Sequence, residues 1–205
     1  MSENKKPKVH LVGELEQMQS LPLSVKILMS ESRLRSWFNR WDGNVYVSFS
    51  GGKDSTVLSD LVAKFCKNWG YKLTLVFSDT GLEYPEIKQF VPFFAEWLKK
   101  VHDIEITLVT VKPEMTFKQV IQKVGYPIGS KKIARMIHDC KHPTEKNEAT
   151  RRLYLTGVKR DGTISKSFKL SKRWIPMIDS KFEISEKCCD IMKKNPTNKF
   201  EKETG

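Results

Sequence analysis

The sequence predicts an α/β fold, a parallel sheet with helices on both faces, from three observations. First, three short apolar runs rich in β-branched residues, Val45–Phe49, Lys72–Phe77 and Ile104–Val111, have strand length. Second, the segments between them repeat apolar residues at helical spacing: Val57, Leu58, Leu61, Val62 and Phe65, then Ile87, Phe90, Val91, Phe94, Trp97, Leu98 and Val101. Third, strand–helix–strand–helix–strand order at this spacing demands right-handed crossovers between parallel strands. Sheets of this kind bind ligands outside the carboxyl ends of their strands. The first two such ends carry the chain's most distinctive residues.

After the first strand stands Ser50-Gly51-Gly52-Lys53-Asp54-Ser55, and the first helix follows it. A helix start leaves backbone N–H groups without partners, and the helix dipole favours an anion beside them. Gly51 and Gly52 let the backbone approach a phosphate with no Cβ in the way. Ser50 and Ser55 add hydroxyls, Lys53 adds a cation and Asp54 a carboxylate. The P-loop of GTPases is excluded, because its ending is Gly-Lys-Ser/Thr and here it is Gly-Lys-Asp. After the second strand comes Ser78-Asp79-Thr80-Gly81-Leu82-Glu83-Tyr84-Pro85-Glu86. Asp79 has the chemistry to accept from a ribose hydroxyl or an adenine amine, Gly81 permits close approach, and Glu83 suits the orienting of a basic neighbour. The plainer alternative is that Asp79 or Thr80 only caps the next helix.

The Ser50–Ser55 stretch resembles the PP-loop, Ser-Gly-Gly-x-Asp-Ser, of the ATP-pyrophosphatase and sulfonucleotide-reductase superfamily. The Asp79–Glu86 segment is similar to the one after the second strand in the phosphoadenosine phosphosulfate (PAPS) reductase family, where it lies near the adenosine. The resemblance implies a Rossmann-like sheet of PP-loop type and an adenine nucleotide as ligand, either ATP or a sulfonucleotide (APS or PAPS). It implies nucleotide binding by Ser48, Ser50, Gly51, Gly52, Lys53, Asp54, Ser55, Asp79, Thr80 and Gly81. Lys53 and Asp54 would be catalytic, with Mg²⁺ as the companion ion. Two chemistries stay open: attack on the ATP α-phosphate with pyrophosphate leaving, or attack by a thiol on the sulfur of a sulfonucleotide.

Met115–Val124 and Asn147–Tyr154 read as helices, and Tyr126–Ser130 as a turn. Lys131, Lys132 and Arg135 share one face of a helical segment. The family carries basic residues in a comparable place against the nucleotide's phosphate or sulfate, so the resemblance assigns that role to Lys132 and Arg135. His138, Cys140 and His142 are zinc ligands by type, but their spacing converges only on an extended backbone. Gly157–Gly162 reads as a hairpin turn, and the stretch after it as a small irregular extension.

Four cysteines, two of them adjacent, speak against a secreted disulfide framework in a chain of 205 residues. Cys188-Cys189 resembles the pair that gives two thiolates to the four-iron cluster of some sulfonucleotide reductases. The resemblance therefore implies an iron–sulfur site at Cys188 and Cys189 that this chain does not complete, for it has no Cys-x-x-Cys. Cys66 lies on the apolar stripe and reads as core.

The length fits one main domain, organised as a flexible segment 1–20, a nucleotide-binding domain 21–180 and an extension 181–205. The chain ends in polar residues where family members continue, so it is expected to be a short member or a piece of a longer chain. In the helix that opens the domain, Leu23, Ile27, Leu34, Trp37, Phe38 and Trp41 are expected to pack on the core. No apolar run reaches 18 residues and no signal-peptide core is present, so a cytoplasmic protein without a membrane span is expected.

Formal net charge is +12, and residues 130–175 carry 13 Lys or Arg against 4 Asp or Glu, a local +9. Such a concentration suits nucleotide phosphates or nucleic acid. The alternative function is thus a nucleic-acid-associated accessory or sulfur-modification protein on the same fold, and a homo-oligomer is compatible with either.

Overall fold

The computed structural model describes residues 12–204. It holds a three-stranded parallel sheet in the order β1 (Tyr46–Ser48), β2 (Leu73–Ser78), β3 (Ile106–Val111), flanked by helices. Tyr46 pairs with Thr74, Val47 with Leu75 and Ser48 with Val76. The α/β expectation therefore holds, with strand positions within two residues of those predicted.

The chain divides into two compact units. The first runs to Val76 and resumes over Gln89–Val109; the second takes Phe77–Lys88 and the chain from Thr110 onward.

In the first unit, α1 (Val12–Ser20) and α2 (Leu23–Arg40) precede β1, and α3 (Lys53–Trp69) follows it. Part of the segment expected to be flexible is thus helical; residues 1–11 lie outside the described residues. The core is built of Val47, Phe49, Val62, Phe65, Leu73, Leu75, Val91, Phe94 and Leu98, all nearly solvent-free. Phe38 of α2 joins it through Phe65 and Tyr71, with ring centroids 5.0 and 4.9 Å away. The broad apolar face predicted for α2 does not hold. Leu23, Trp37 and Trp41 stay about half exposed or more. Trp37 and Trp41 instead meet each other edge to face at 5.8 Å, and Phe38 is the one fully buried residue of the helix.

Helix α4 (Pro85–His102) begins in the second unit and ends in the first. The second unit continues with α5 (Phe117–Val124), α6 (Lys131–Lys141) and α7 (Glu148–Thr156). Thr116 and Gln119 close α5 with a reciprocal capping box. Ala134, Met136 and Ile137 of α6 pack with Leu170 and Ile184 into a second core, walled by Tyr154 and Trp174. The predicted hairpin turn is present as a single antiparallel bridge, Val158 to Ile164, and the following segment is short 3₁₀ turns, as its lack of periodicity foretold. The end is more regular than expected: a π-helical turn, Asp190–Lys194, leads into α8 (Asn195–Thr204). Among the described residues no helix is long and apolar enough to cross a membrane.

Candidate functional site: the loop after the first strand and its companions

The loop of the first unit turns on Gly51, whose φ is +73°, a backbone region open to glycine at no cost. Ser55 organises the turn. Its hydroxyl donates to the Gly52 carbonyl at 2.9 Å and lies 3.1 Å from the Ser50 hydroxyl. It also accepts from the Ser50 N–H at 3.3 Å. Thr56 closes on the same Gly52 carbonyl with its N–H and its hydroxyl.

Gly52 is the N-cap of α3 and has no side chain to cap with. Among the described residues nothing accepts from the N–H groups of Gly51, Lys53, Asp54 or Ser55. Ser48, Ser50, Lys53 and Asp54 are exposed, and neither Lys53 nor Asp54 is ion-paired among the described residues. Four free donors, one free cation and one free carboxylate thus stand at the start of a 17-residue helix. That arrangement is able to hold a multiply charged anion.

In the second unit, the segment after β2 is tied to itself. Asp79 Oδ1 lies 3.1 Å from the Lys88 ammonium and accepts from the Gly81 N–H at 3.1 Å, and Lys112 stands 3.9 Å from Oδ2. Partial burial pushes the Asp79 carboxyl up, but Lys88, the Gly81 N–H and Lys112 outweigh it and hold it below the ordinary carboxylate range. The folded value lies below the unfolded one, near 3.9. The interaction therefore stabilises the fold above about pH 4 and is lost as pH falls through the depressed value. A carboxyl NMR titration is expected to place Asp79 below that ordinary value, and Lys88→Met to move it up. An unchanged midpoint in the variant would refute the assigned cause.

Glu83 does not orient a basic neighbour. It accepts from the Thr80 N–H at 2.9 Å and from the Thr80 hydroxyl at 2.6 Å. The signal was present in the sequence: Thr80 and Glu83 have the spacing of a capping box. Gly81, at φ +81°, has open space where a Cβ would stand.

Helix α6 presents Lys132 and Arg135, but each is engaged. The Lys132 ammonium donates to the Ser167 carbonyl and sits 4.5 Å from the Phe168 ring. Arg135 stands 3.8 Å from Asp139. Among the described residues, His138, Cys140 and His142 do not gather into a group that could hold a metal. His138 lies in α6 and His142 caps its end, and they reach Ile184 O and Glu183, while Cys140 turns into the core.

Sequence reasoning missed one feature. Arg152, Lys159 and Arg160 converge with Glu148, Ala149 and Val158 on a cleft of about 180 Å³. The pairing of the hairpin with α7 creates it, and no local pattern announces it.

A parallel α/β fold with a glycine–serine loop opening its first crossover helix is a class defined by topology and by that loop together. The chain belongs to the phosphoadenosine phosphosulfate reductase domain family, whose model matches residues 44–167. No curated protein matches it. The matched residues include both loops, α6, α7 and the hairpin; Cys188 and Cys189 lie beyond them.

The residues do not fit the four-thiolate cluster that the cysteine pair suggested. Among the described residues no three His, Cys, Asp or Glu side chains gather where a metal could be held. Cys66 is fully buried and its thiol is pushed up to about 11 by burial. Cys140 is buried too, and burial raises its thiol against the pull of Arg151. Cys188 is half-buried and raised by burial and by its neighbour, and Cys189 is exposed. A disulfide thiol reagent is therefore expected to find one fast site in the folded protein, lost in Cys189→Ser, while Cys66 and Cys140 react only on unfolding. A fast phase that survives Cys189→Ser would contradict this.

Proposed function

We propose that the chain binds an adenine nucleotide with its phosphates on the Ser50–Ser55 loop and acts at the α-phosphate. The observation that carries the proposal is the set of free N–H groups on Gly51, Lys53, Asp54 and Ser55. Family membership supports a nucleotide or sulfonucleotide as the anion.

Reaction at the α-phosphate asks for positioning and charge neutralisation rather than a protein nucleophile. A substrate oxygen attacks the α-phosphorus, the bond to the bridging oxygen breaks, and pyrophosphate leaves. Lys53 and the loop N–H groups neutralise the phosphates, while Ser50 and Ser55 hold the loop in shape and Ser48 borders it. Mg²⁺ would supply further charge neutralisation of the leaving group, and Asp54 is the exposed, unpaired carboxylate suited to it. The resemblance adds Asp79, Thr80, Gly81, Lys132 and Arg135 as nucleotide contacts. Lys132 would have to exchange its Ser167 carbonyl for phosphate.

Sulfonucleotide reduction needs an accessible thiolate; Cys66 and Cys140 are buried with raised values, which leaves the exposed Cys189 as the thiol available to it. The family's own description keeps it as the second reading. Calorimetric titration of ATP, APS and PAPS in the presence of Mg²⁺ separates the two. Tighter ATP binding, with release of AMP and pyrophosphate on adding an acceptor, supports the proposal. Tighter binding of PAPS or APS turns it to reduction, and binding of none of them overturns it.

A further inference from the structure

The second unit carries a row of cations with no ion-pair partner within 4.0 Å among the described residues. Arg152 projects from α7, and Lys159 and Arg160 from the hairpin, into the same cleft. The hairpin is held firmly: the Lys159 N–H donates to the Thr163 carbonyl at 2.9 Å, and the Ser165 N–H to the Gly157 carbonyl at 2.8 Å. Lys169 extends the row, because a Cβ on Gly157 would stand 3.4 Å from the Lys169 Cβ. Phe168, next in the chain, is 44% exposed and borders the row.

Among the described residues none of Arg152, Lys159, Arg160 or Lys169 pairs with a carboxylate within 4.0 Å. Glu148 lines the cleft without forming an ion pair within 4.0 Å, and Asp161 at the hairpin tip accepts from Thr163 and attracts Lys159 only at longer range. Four like charges held close together on packed elements repel one another unless a polyanion sits among them. An isolated phosphate group would meet only the cleft. A phosphodiester strand would pass from the cleft to Lys169 and lay a base on the part of the Phe168 ring that Lys132 does not cover.

We infer that this face of the second unit binds a nucleic-acid strand, its backbone on Arg152, Lys159, Arg160 and Lys169 and a base against Phe168. Binding is electrostatic and tolerant of sequence, with single strands preferred because a duplex buries its bases. This assignment uses none of the Ser50–Ser55 loop residues, although Lys132, a nucleotide contact in that reading, sits over Phe168.

The test is fluorescence anisotropy with labelled 20-nucleotide oligo(dT) and oligo(U) and a 20-base-pair duplex, over a series of KCl concentrations. Affinity is expected to fall steeply with salt, and the triple variant Arg152→Ala/Lys159→Ala/Arg160→Ala to lower the log–log salt slope by about 2. Phe168→Ala is expected to weaken single strands by about tenfold and the duplex hardly at all. All four side chains are exposed or at the rim, and circular dichroism of the variants checks that the fold persists. Flat salt dependence, or a triple variant with wild-type slope, overturns the assignment. So does full competition by ATP with Mg²⁺ at a one-to-one ratio, because the cleft would then be a nucleotide's own phosphate site. Equal affinity for duplex and single strand, unaltered by Phe168→Ala, removes the base contact and with it the strand as ligand.

Discussion

Gly125→Ala is expected to destabilise the protein by about 3 kcal/mol or more. Gly125 caps α5 with φ +99° and ψ 177°, a backbone region that L-residues avoid. A Cβ there would stand 2.5 Å from both the carbonyl carbon and the oxygen of Glu183. Those are backbone atoms, so no rotamer change relieves the clash. The segment is also pinned in place: the Tyr126 N–H donates to the Glu183 carbonyl at 2.8 Å, and the Ser185 N–H to the Tyr126 carbonyl at 3.2 Å. Relief by displacement breaks both bonds, each worth about 1 kcal/mol. It also disturbs Ile184, which is 1% exposed in the second core. Gly162→Ala is the control, since φ there is +80° but a Cβ would meet nothing within 4 Å. It is expected to cost only the backbone strain, about 1 kcal/mol. Urea denaturation of the two variants compares them directly. Equal midpoints would show that the approach to Glu183 is not what fixes the glycine.

Lys53→Ala is expected to weaken ATP binding by ten- to a hundredfold, equivalent to about 1.5–3 kcal/mol for a charge-assisted hydrogen bond. The ammonium is exposed and has no ion-pair partner among the described residues, so its removal has no fold to disturb. Thermal stability should stay within about 0.5 kcal/mol of wild type. Lys53→Arg should recover part of the affinity by keeping the charge. A variant that binds ATP as well as wild type would place the phosphates elsewhere and remove Lys53 from the reaction.

The β1–loop–α3 segment was legible because its signals agree at every level. β-branched residues run up to Phe49, two glycines follow, and the apolar stripe resumes at Val57. Even there periodicity overstated burial: Val62 and Phe65 are in the core, but Val57 and Leu58 face outward. Helix α2 shows the same limit more strongly, because a stripe states which residues share a face and not whether anything covers it. Asp79 was legible as a residue of consequence. Its partners were not, since Lys88 and Lys112 reach it from a helix and from a strand end whose meeting is a tertiary fact. The cleft of Arg152, Lys159 and Arg160 needed the hairpin and α7 to be placed together before it existed at all.

The π-helical turn over Asp190–Lys194 leaves its mark on everything downstream of it. Such a turn holds one residue more than an ordinary helical turn. It acts as a phase shift, moving the azimuth of each later side chain by about 100° from where an uninterrupted helix would put it. Downstream of it, Pro196 is buried and the Thr197 hydroxyl lies 3.5 Å from the Ser78 hydroxyl. The widened turn is therefore the gear that indexes α8. A chain one residue shorter within it would keep its helix and face the wrong way.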